Sequence, residues 1–388
     1  MSDQIVHEEI RAELERHLAP EVDPASRERL ALLVSGMIEA ASACPARIAA
    51  AVHKLGLRQA TAASLERQIR RLENDPEIAA TLCVHPLARA HLRWGRPRQL
   101  LLVMDGTSQD DRVVMLTAAV WYRGRALPLA WACWPANTPL VGARFWERVK
   151  AVLAEVAGLL PLGVPVIWLA DRAFGTPAFT DQIEARGWHW VVRVQGQTRY
   201  QDQAGRLQPI QSLVTRPGQR KKGRGWVFKK QGWREASVVV HWGRRHKTAL
   251  MLVSDLPPDW ALIMLYRRRY AIEAHFRDCK SAGWEWERGQ VVNLAHVERL
   301  LVGMALATWL VVCVGACQAA KLLERLPTGR RRTVPYEGKR SLFTLGLQSF
   351  ADWVTQLGAG CWQLPDWEAP NWSTQIYFHH ACAFVFAN

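Results

Sequence analysis

From residue 96 onward the apolar residues stop following the three-to-four spacing of helices and fall into the continuous runs and alternations of strands, which limits the fold more than any other feature of the chain. Gln99-Leu-Leu-Leu-Val-Met is a buried-strand run that closes on Asp105, and two further strands over 112–122 and 126–134 meet at the turn Arg123-Gly-Arg. The spacing then predicts a helix over 143–159, a buried strand over 164–170 that closes on Asp171, a helix over 177–186 and a strand over 188–194. A three-strand meander followed by strands that alternate with helices excludes an all-helical or disulfide-scaffold protein and predicts an α/β domain around a large sheet. At 388 residues the chain is long enough for two or three domains and a sizeable core.

The order β-β-β-α-β-α-β matches a ribonuclease-H-like fold. We expect that catalytic domain over 96–320, interrupted at 195–248 by a β-rich insertion. A helical N-terminal domain over 1–95 and a C-terminal helical region over 321–388, a candidate for dimerisation, flank it. Near the N-terminus, Ser26 is positioned to cap a helix to about 43, with further helices over 45–55 and 62–73. Residues 1–90 hold 11 Lys/Arg against 13 Asp/Glu, so the segment as a whole is not basic. Its cations gather late, at Arg47, Lys54, Arg58, Arg67, Arg70 and Arg71, where one face suits the phosphates of a DNA end. A plain helical packing domain is the competing reading.

Charge narrows the partner class. A formal net charge of +15 and a pI near 9.9, on a chain with 49% hydrophobic residues, describe a folded protein drawn to polyanions, with nucleic acid first among them. Between Arg216 and Lys247 there are eleven Lys/Arg and one acid, Glu235. Trp226, Trp233 and Trp242 lie among these cations, a pattern that grips DNA backbone through Lys221, Lys222 and Arg224 and can stack an unpaired base. Tryptophans packed in the core of a β-hairpin subdomain are the alternative. The run 300–317 has no charged residue and approaches membrane-span length, but its Ala/Gly content and Thr308 suit a helix buried behind the sheet, so no membrane partner is expected. The eight scattered cysteines lack zinc spacing and read as reduced thiols. With no secretory signal pattern at the N-terminus, a cytoplasmic location is expected. The tail 358–388, including His379-His380, carries no functional signal.

The chemistry concentrates in Tyr266-Arg-Arg-Arg-Tyr-Ala-Ile-Glu-Ala-His-Phe-Arg-Asp-Cys-Lys280. On a continuous helix at about 100° per residue, Tyr266, Arg269, Glu273 and Lys280 fall at roughly 0°, 300°, 340° and 320°, with Arg277 at about 20° on the same stripe. A face that sets one glutamate among cations fits a surface holding a metal ion among phosphates, although a solvated helix face has the same composition. Two aspartates that close hydrophobic strands need partners if they are buried, and divalent metal ions are one such partner. Asp105, Asp171 and Glu273 are therefore the candidate ligands for two ions of Mg²⁺ or Mn²⁺ in phosphoryl transfer. Arg172, next to Asp171, could serve a phosphate or an ion pair.

On these residues the chain resembles the DDE transposases of bacterial insertion sequences, in the cut-and-paste group marked by Tyr-x2-Arg-x3-Glu-x6-Lys. Tyr266, Arg269, Glu273 and Lys280 match that signature without a gap, and Asp105 in Asp-Gly-Thr and Asp171 in Leu-Ala-Asp-Arg look like the family's first two acids. The resemblance is strong over about 96–290 and implies that Asp105, Asp171 and Glu273 bind two ions. Water and then a freed 3′-OH would act as nucleophiles, with Tyr266, Arg269 and Lys280 holding phosphates. It further implies double-stranded DNA partners, both element ends and target, and a homodimer in the synaptic complex. Members often cut through a hairpin with a base flipped onto a tryptophan of the insertion, and no motif here selects among Trp226, Trp233 and Trp242. A ribonuclease-H-like nuclease without strand transfer shares the acids. A transposase-derived DNA-binding protein shares the basic patches but does not need the acids, which are intact here.

Overall fold

The computed structural model describes residues 2–94, 97–324 and 341–357. The basic link 329–333 and the tail 358–388 with His379-His380 lie outside the described residues. Five helices open the chain: α1 (Ser2–His17), α2 (Pro24–Ala40), α3 (Pro45–Lys54), α4 (Ala62–Leu72) and α5 (Ala80–Trp94). The cap of α2 is Asp23 and not Ser26. The Asp23 carboxylate accepts from the backbone N–H groups of Ala25 and Ser26 while Pro24 takes the first helical position, where its missing N–H costs nothing. Ser26 is left inside the first turn, donating its hydroxyl to Asp75 at 2.6 Å.

A single ten-stranded sheet follows. Its first three strands, β1 (Leu100–Gln109), β2 (Val113–Tyr122) and β3 (Arg125–Pro135), form the expected meander, and α6 (Ala143–Ala157) leads from it to β4 (Val166–Ala170). Arg123 and Gly124, at φ 47° and 85°, make the two-residue turn between β2 and β3, whose mirror-image geometry matches strand twist. After β4 come α7 (Pro177–Glu184) and β5 (His189–Arg193), so the predicted chain order holds through 96–194. The insertion contributes β6 (Arg199–Asp202), β7 (Leu207–Pro209), β8 (Arg220–Val227) and β9 (Arg234–His241), and β10 (Leu250–Ser254) returns. Across the sheet the order is β3-β2-β1-β4-β5-β10-β9-β8-β6-β7. β1, β4 and β5 run parallel and the other neighbours antiparallel, so the insertion extends the same sheet as a hydrogen-bonded wing.

Helices α8 (Ala261–Arg267) and α9 (Tyr270–Lys280) cover the sheet: α8 contacts β4 and β5, and α9 contacts β1 and β3. Behind them runs α10 (Leu294–Glu324), which contains the uncharged run. It is long and apolar enough to cross a membrane, but 94% of that window is buried inside the protein, against α2, α5, β3 and α11 (Leu342–Leu357). The α10–α11 crossing depends on glycine. A Cβ on Gly315 would lie 1.9 Å from the carbonyl oxygen of Leu342, and one on Gly346 would lie 1.9 Å from that of Val311. None of the six cysteines of the described residues is in a disulfide, and four of them are buried.

Candidate active site

Asp105 and Asp171 are brought together by strand register. β1 and β4 pair in parallel as far as Met104 with Ala170, so the next residue on each strand is an aspartate, and the two stand side by side at roughly the 4.8 Å spacing of neighbouring strands. Contrary to the sequence expectation, β1 does not end at Asp105. It continues to Gln109 on β2, with Asp105 opposite Thr117, because the long β2 goes on supplying ladder partners after the shorter β4 has ended. Asp105 is therefore a mid-strand residue at the place where one of its two neighbours stops, which opens one side of its carboxylate while the backbone stays rigid. Asp171 is turned by its own loop, its carboxylate accepting from the Ala173 N–H at 2.7 Å.

The third acid arrives by a route that the helical arc did not foresee. The stretch from Tyr266 to Lys280 is two helices, not one, with Arg268 and Arg269 in the turn between α8 and α9. Through this turn the amides of Arg268, Arg269, Ala271 and Ile272 bond three residues back, to Leu265, Tyr266, Arg268 and Arg269. That tighter winding advances about 120° per residue in place of about 100° and spreads the stripe. Tyr266 turns inward and is only 7% exposed, and burial pushes its phenol above the usual range, with Arg269 and Arg193 opposing. It is thus a neutral hydroxyl near the acids, not a surface donor. Arg268 does not point away into solvent either: its guanidinium stacks 4.9 Å above the ring of Trp121.

Arg269 is the centre of the cluster. Its Nη1 donates to Asp105 Oδ2 at 2.8 Å and its Nη2 to Glu273 Oε1, so one guanidinium bridges the first and third acids. Burial raises the Asp105 carboxyl above its ordinary range, and nearby Asp171 adds to this, while Arg269 and the Gly106 N–H pull it down. Among the described residues, Asp105, Asp171 and Glu273 do not form a set of ligand atoms all within 4.8 Å of one another. The Arg269 cation stands between two of them. Lys280 reaches back to β1 and donates to the Ser108 carbonyl, with Glu287 Oε1 3.3 Å away, so it lines the same wall as Asp105. Arg277 is exposed on α9.

One pair was missed in the sequence. Arg125, read there only as a turn residue, donates to Asp278 at 2.8 Å in a nearly buried ion pair that ties α9 to the start of β3. Burial pushes the Asp278 carboxyl up to about 6, with Arg125 and Arg277 opposing. Asp278 lies five residues beyond Glu273 on α9, so this tie anchors the helix that carries the third acid. The only signal was an acid inside the signature stretch that the stripe did not use, and its partner is 153 residues away.

The basic wing divides its cations between surface pairs and cavities. Lys222 pairs with Asp259 at 3.4 Å and Arg224 with Glu235 at 2.9 Å, and with exposed Lys221 they line a cavity of about 500 Å³ far along the wing. A second cavity of about 500 Å³ is lined by Arg172, the residue after Asp171, together with Arg193, Trp242 and Lys247. Trp242 is held by its indole N–H, which donates to the His246 carbonyl at 2.8 Å. Trp226 is 39% exposed on β8 and Trp233 is half-buried just before β9, and neither borders the second cavity. In the N-terminal helices, Arg47, Lys54, Arg58 and Arg70 each pair with an acid, whereas Arg67 and Arg71 are exposed.

Residues 148–310 match the family model of the transposase DDE domain. That span holds Asp171, Glu273 and the whole Tyr266–Lys280 stretch but begins after Asp105, and it is less than half of the chain. Among solved structures, the chain is similar to the piggyBac transposase synaptic complex with hairpin DNA, at 11% identity and a TM-score of 0.40, covering 84% of this chain and 80% of that one. Human ENDOV is similar at 12% identity and a TM-score of 0.28, covering 52% of this chain and 97% of that one. No curated protein matches. The match over residues 148–310 supports a DDE transposase enzyme.

Proposed function

We propose that this DDE transposase binds the ends of a mobile DNA element, cuts them by phosphodiester hydrolysis and transesterification, and joins the freed 3′-OH ends to target DNA. The observation that carries the proposal is Asp105 on β1 beside the end of parallel β4, where Asp171 follows directly, with Glu273 linked to Asp105 through Arg269. The ribonuclease-H-like reading rests on the order β3-β2-β1-β4-β5 with β1, β4 and β5 parallel. The gapless Tyr-x2-Arg-x3-Glu-x6-Lys spacing supports an origin in a bacterial insertion sequence, whose transposase would act on DNA in the cytoplasm.

The donor set fits divalent metal. It is all carboxylate oxygen, Asp105 and Asp171 are half-buried and Glu273 is exposed, and the cation now bonded to two of the acids is the displaceable guanidinium of Arg269. Asp105, Asp171 and Glu273 would hold two ions of Mg²⁺ or Mn²⁺, which when bound supply nucleophile activation and leaving-oxygen stabilisation. The residues do the rest. Arg269, released from the acids, turns its planar fork to a phosphate of the cut strand, a geometry that a lysine cannot reproduce. Lys280 and the Tyr266 hydroxyl serve as a point charge and a neutral donor on the same wall. In the first step water forms a bond to phosphorus, the bond to the 3′ oxygen breaks, and that oxygen takes a proton. In the second, the 3′-OH loses its proton, bonds to a target phosphorus and expels a target 3′ oxygen.

The wing and the N-terminal helices supply DNA affinity in this reading: Lys221, Lys222, Arg224 and Arg277 along the backbone, Arg67 and Arg71 at the element end. Trp242 is the favoured stacking residue, because it shares a cavity with Arg172, the residue after Asp171, and its ring is held in place. Two ends must meet before joining, which calls for a homodimer on DNA. The test is incubation of the purified chain with duplexes of its own element ends and Mg²⁺. Cleavage followed by joining to a second duplex is expected. Cleavage without joining of a pre-cut end would favour the nuclease reading, and activity that survives Asp171→Ala would refute the site.

A further inference from the structure

Far from the acids, the N-terminal helices assemble a second group of potential ligands. Glu13 and His17 lie four residues apart on α1, which puts both on one face, and His91 of α5 approaches them from the side. Their ligand atoms all lie within 4.8 Å of one another, which no other group of three His, Cys, Asp or Glu achieves among the described residues. Glu13 and His91 are 2% and 4% exposed.

The surroundings favour coordination. The His91 ring lies nearly parallel to that of Trp309 on α10, with centroids 5.4 Å apart, and packs tilted against His17, so its plane is fixed before any ligand arrives. Burial, helped by His17, pushes His91 down to about 4, which leaves it neutral with a lone pair for a metal at neutral pH. Burial would raise Glu13, but the hydrogen bond to His17 and the charge of Arg16 outweigh it and hold the carboxyl below its ordinary range. Arg16 holds the other Glu13 oxygen from a mostly exposed position, so that oxygen's present partner is a side chain free to swing into solvent.

We propose that Glu13, His17 and His91 bind one zinc-class cation that clamps α1 to α5, with water in the fourth position. Two imidazoles and a carboxylate match the borderline-soft metals and not the all-oxygen preference of Mg²⁺, so this site and the acid cluster would select different ions. The donors need to move only to the roughly 2.0–2.2 Å bond lengths of such a centre. Without metal, the same residues are a Glu–His hydrogen-bonded pair at 3.2 Å with a stacked imidazole, and the experiment separates the two states.

The experiment uses the full chain and a Asp105→Asn/Asp171→Asn version that removes the acid cluster as a competing site. Both are titrated with Zn²⁺ in a chelator-buffered solution and followed by metal content and thermal unfolding. One equivalent of zinc in both, with a rise of several degrees in Tm that Mg²⁺ does not reproduce, is expected. His17→Gln, the least buried of the three changes, should lower affinity at least tenfold. Zinc K-edge absorption on the unmutated chain gives a readout that needs no variant, and should show two imidazoles and one carboxylate. No bound zinc at micromolar free metal, equal binding by His17→Gln, or a spectrum without imidazole would overturn the proposal.

Discussion

Arg269→Met tests the acid cluster most directly, because it should move metal affinity and catalysis in opposite directions. In the structure the guanidinium donates to Asp105 at 2.8 Å and also to Glu273, with side-chain exposures of 13% for Arg269, 21% for Asp105 and 44% for Glu273. A pair of unit charges at about 4 Å is worth about 4 kcal/mol at an effective dielectric near 20. The Glu273 arm is half in water and is discounted heavily, so the Asp105 arm dominates and a cost of about 1.5–3 kcal/mol for displacing the arginine is reasonable. An incoming divalent ion must meet that cost. Replacing Arg269 with methionine removes it, and Mn²⁺ affinity without DNA should rise by roughly tenfold to a hundredfold at about 1.4 kcal/mol per decade. End cleavage should nevertheless fall by at least about tenfold, since the phosphate-binding fork is lost. Arg269→Lys keeps the charge and should leave Mn²⁺ affinity near that of the unmutated chain while still slowing cleavage. Mn²⁺ binding is read by paramagnetic resonance or calorimetry, and cleavage on labelled end duplexes. If Arg269→Met bound Mn²⁺ no more tightly than the unmutated chain, the placement of the ions among these acids would be wrong.

Lys280→Ala should reduce end cleavage about tenfold or more through loss of a charged donor on the Asp105 wall. The proper control is exposed Arg267→Ala, expected within twofold of the unmutated chain, because Arg268 is stacked on Trp121. Arg125→Met should destabilise the fold by about 3–5 kcal/mol in denaturant titrations by leaving the Asp278 carboxylate buried without its partner, and Arg125→Met/Asp278→Leu should recover much of that loss. Gly346→Ala should cost on the order of 1–3 kcal/mol, since the added methyl meets a backbone carbonyl and α10 must move away from α11. A pH series of unfolding experiments checks Glu73, whose carboxyl burial lifts from 4.5 to about 7 with Arg70 opposing. A raised folded value gives stability that is complete below about 4.5 and lost as pH climbs through 7, so Glu73→Gln should match the unmutated chain at pH 4 and exceed it at pH 8 by up to about 3 kcal/mol.

Through 96–194 the sequence by itself determined the elements and their order, because strand and helix periods are local properties that burial then reinforces. The meander, the buried strand before Asp171, the basic wing and the apolar α10 all follow from patterns within about twenty residues. The three acids and the four signature residues were legible for the same reason, as fixed spacings of chemically unusual side chains. Tertiary structure decided where those residues point. Asp105 could not be seen as mid-strand without β2, whose length carries the ladder past the end of β4. The break at Arg268–Arg269 was invisible to an arc drawn on an ideal helix, since no glycine or proline marks it, and only packing of α8 and α9 against different strands accounts for its place. The Arg125–Asp278 tie and the Glu13–His17–His91 group join residues 153 and more than 70 positions apart, respectively. Contacts of that kind are set by how helices and sheet fill one core, and no periodicity along the chain encodes them.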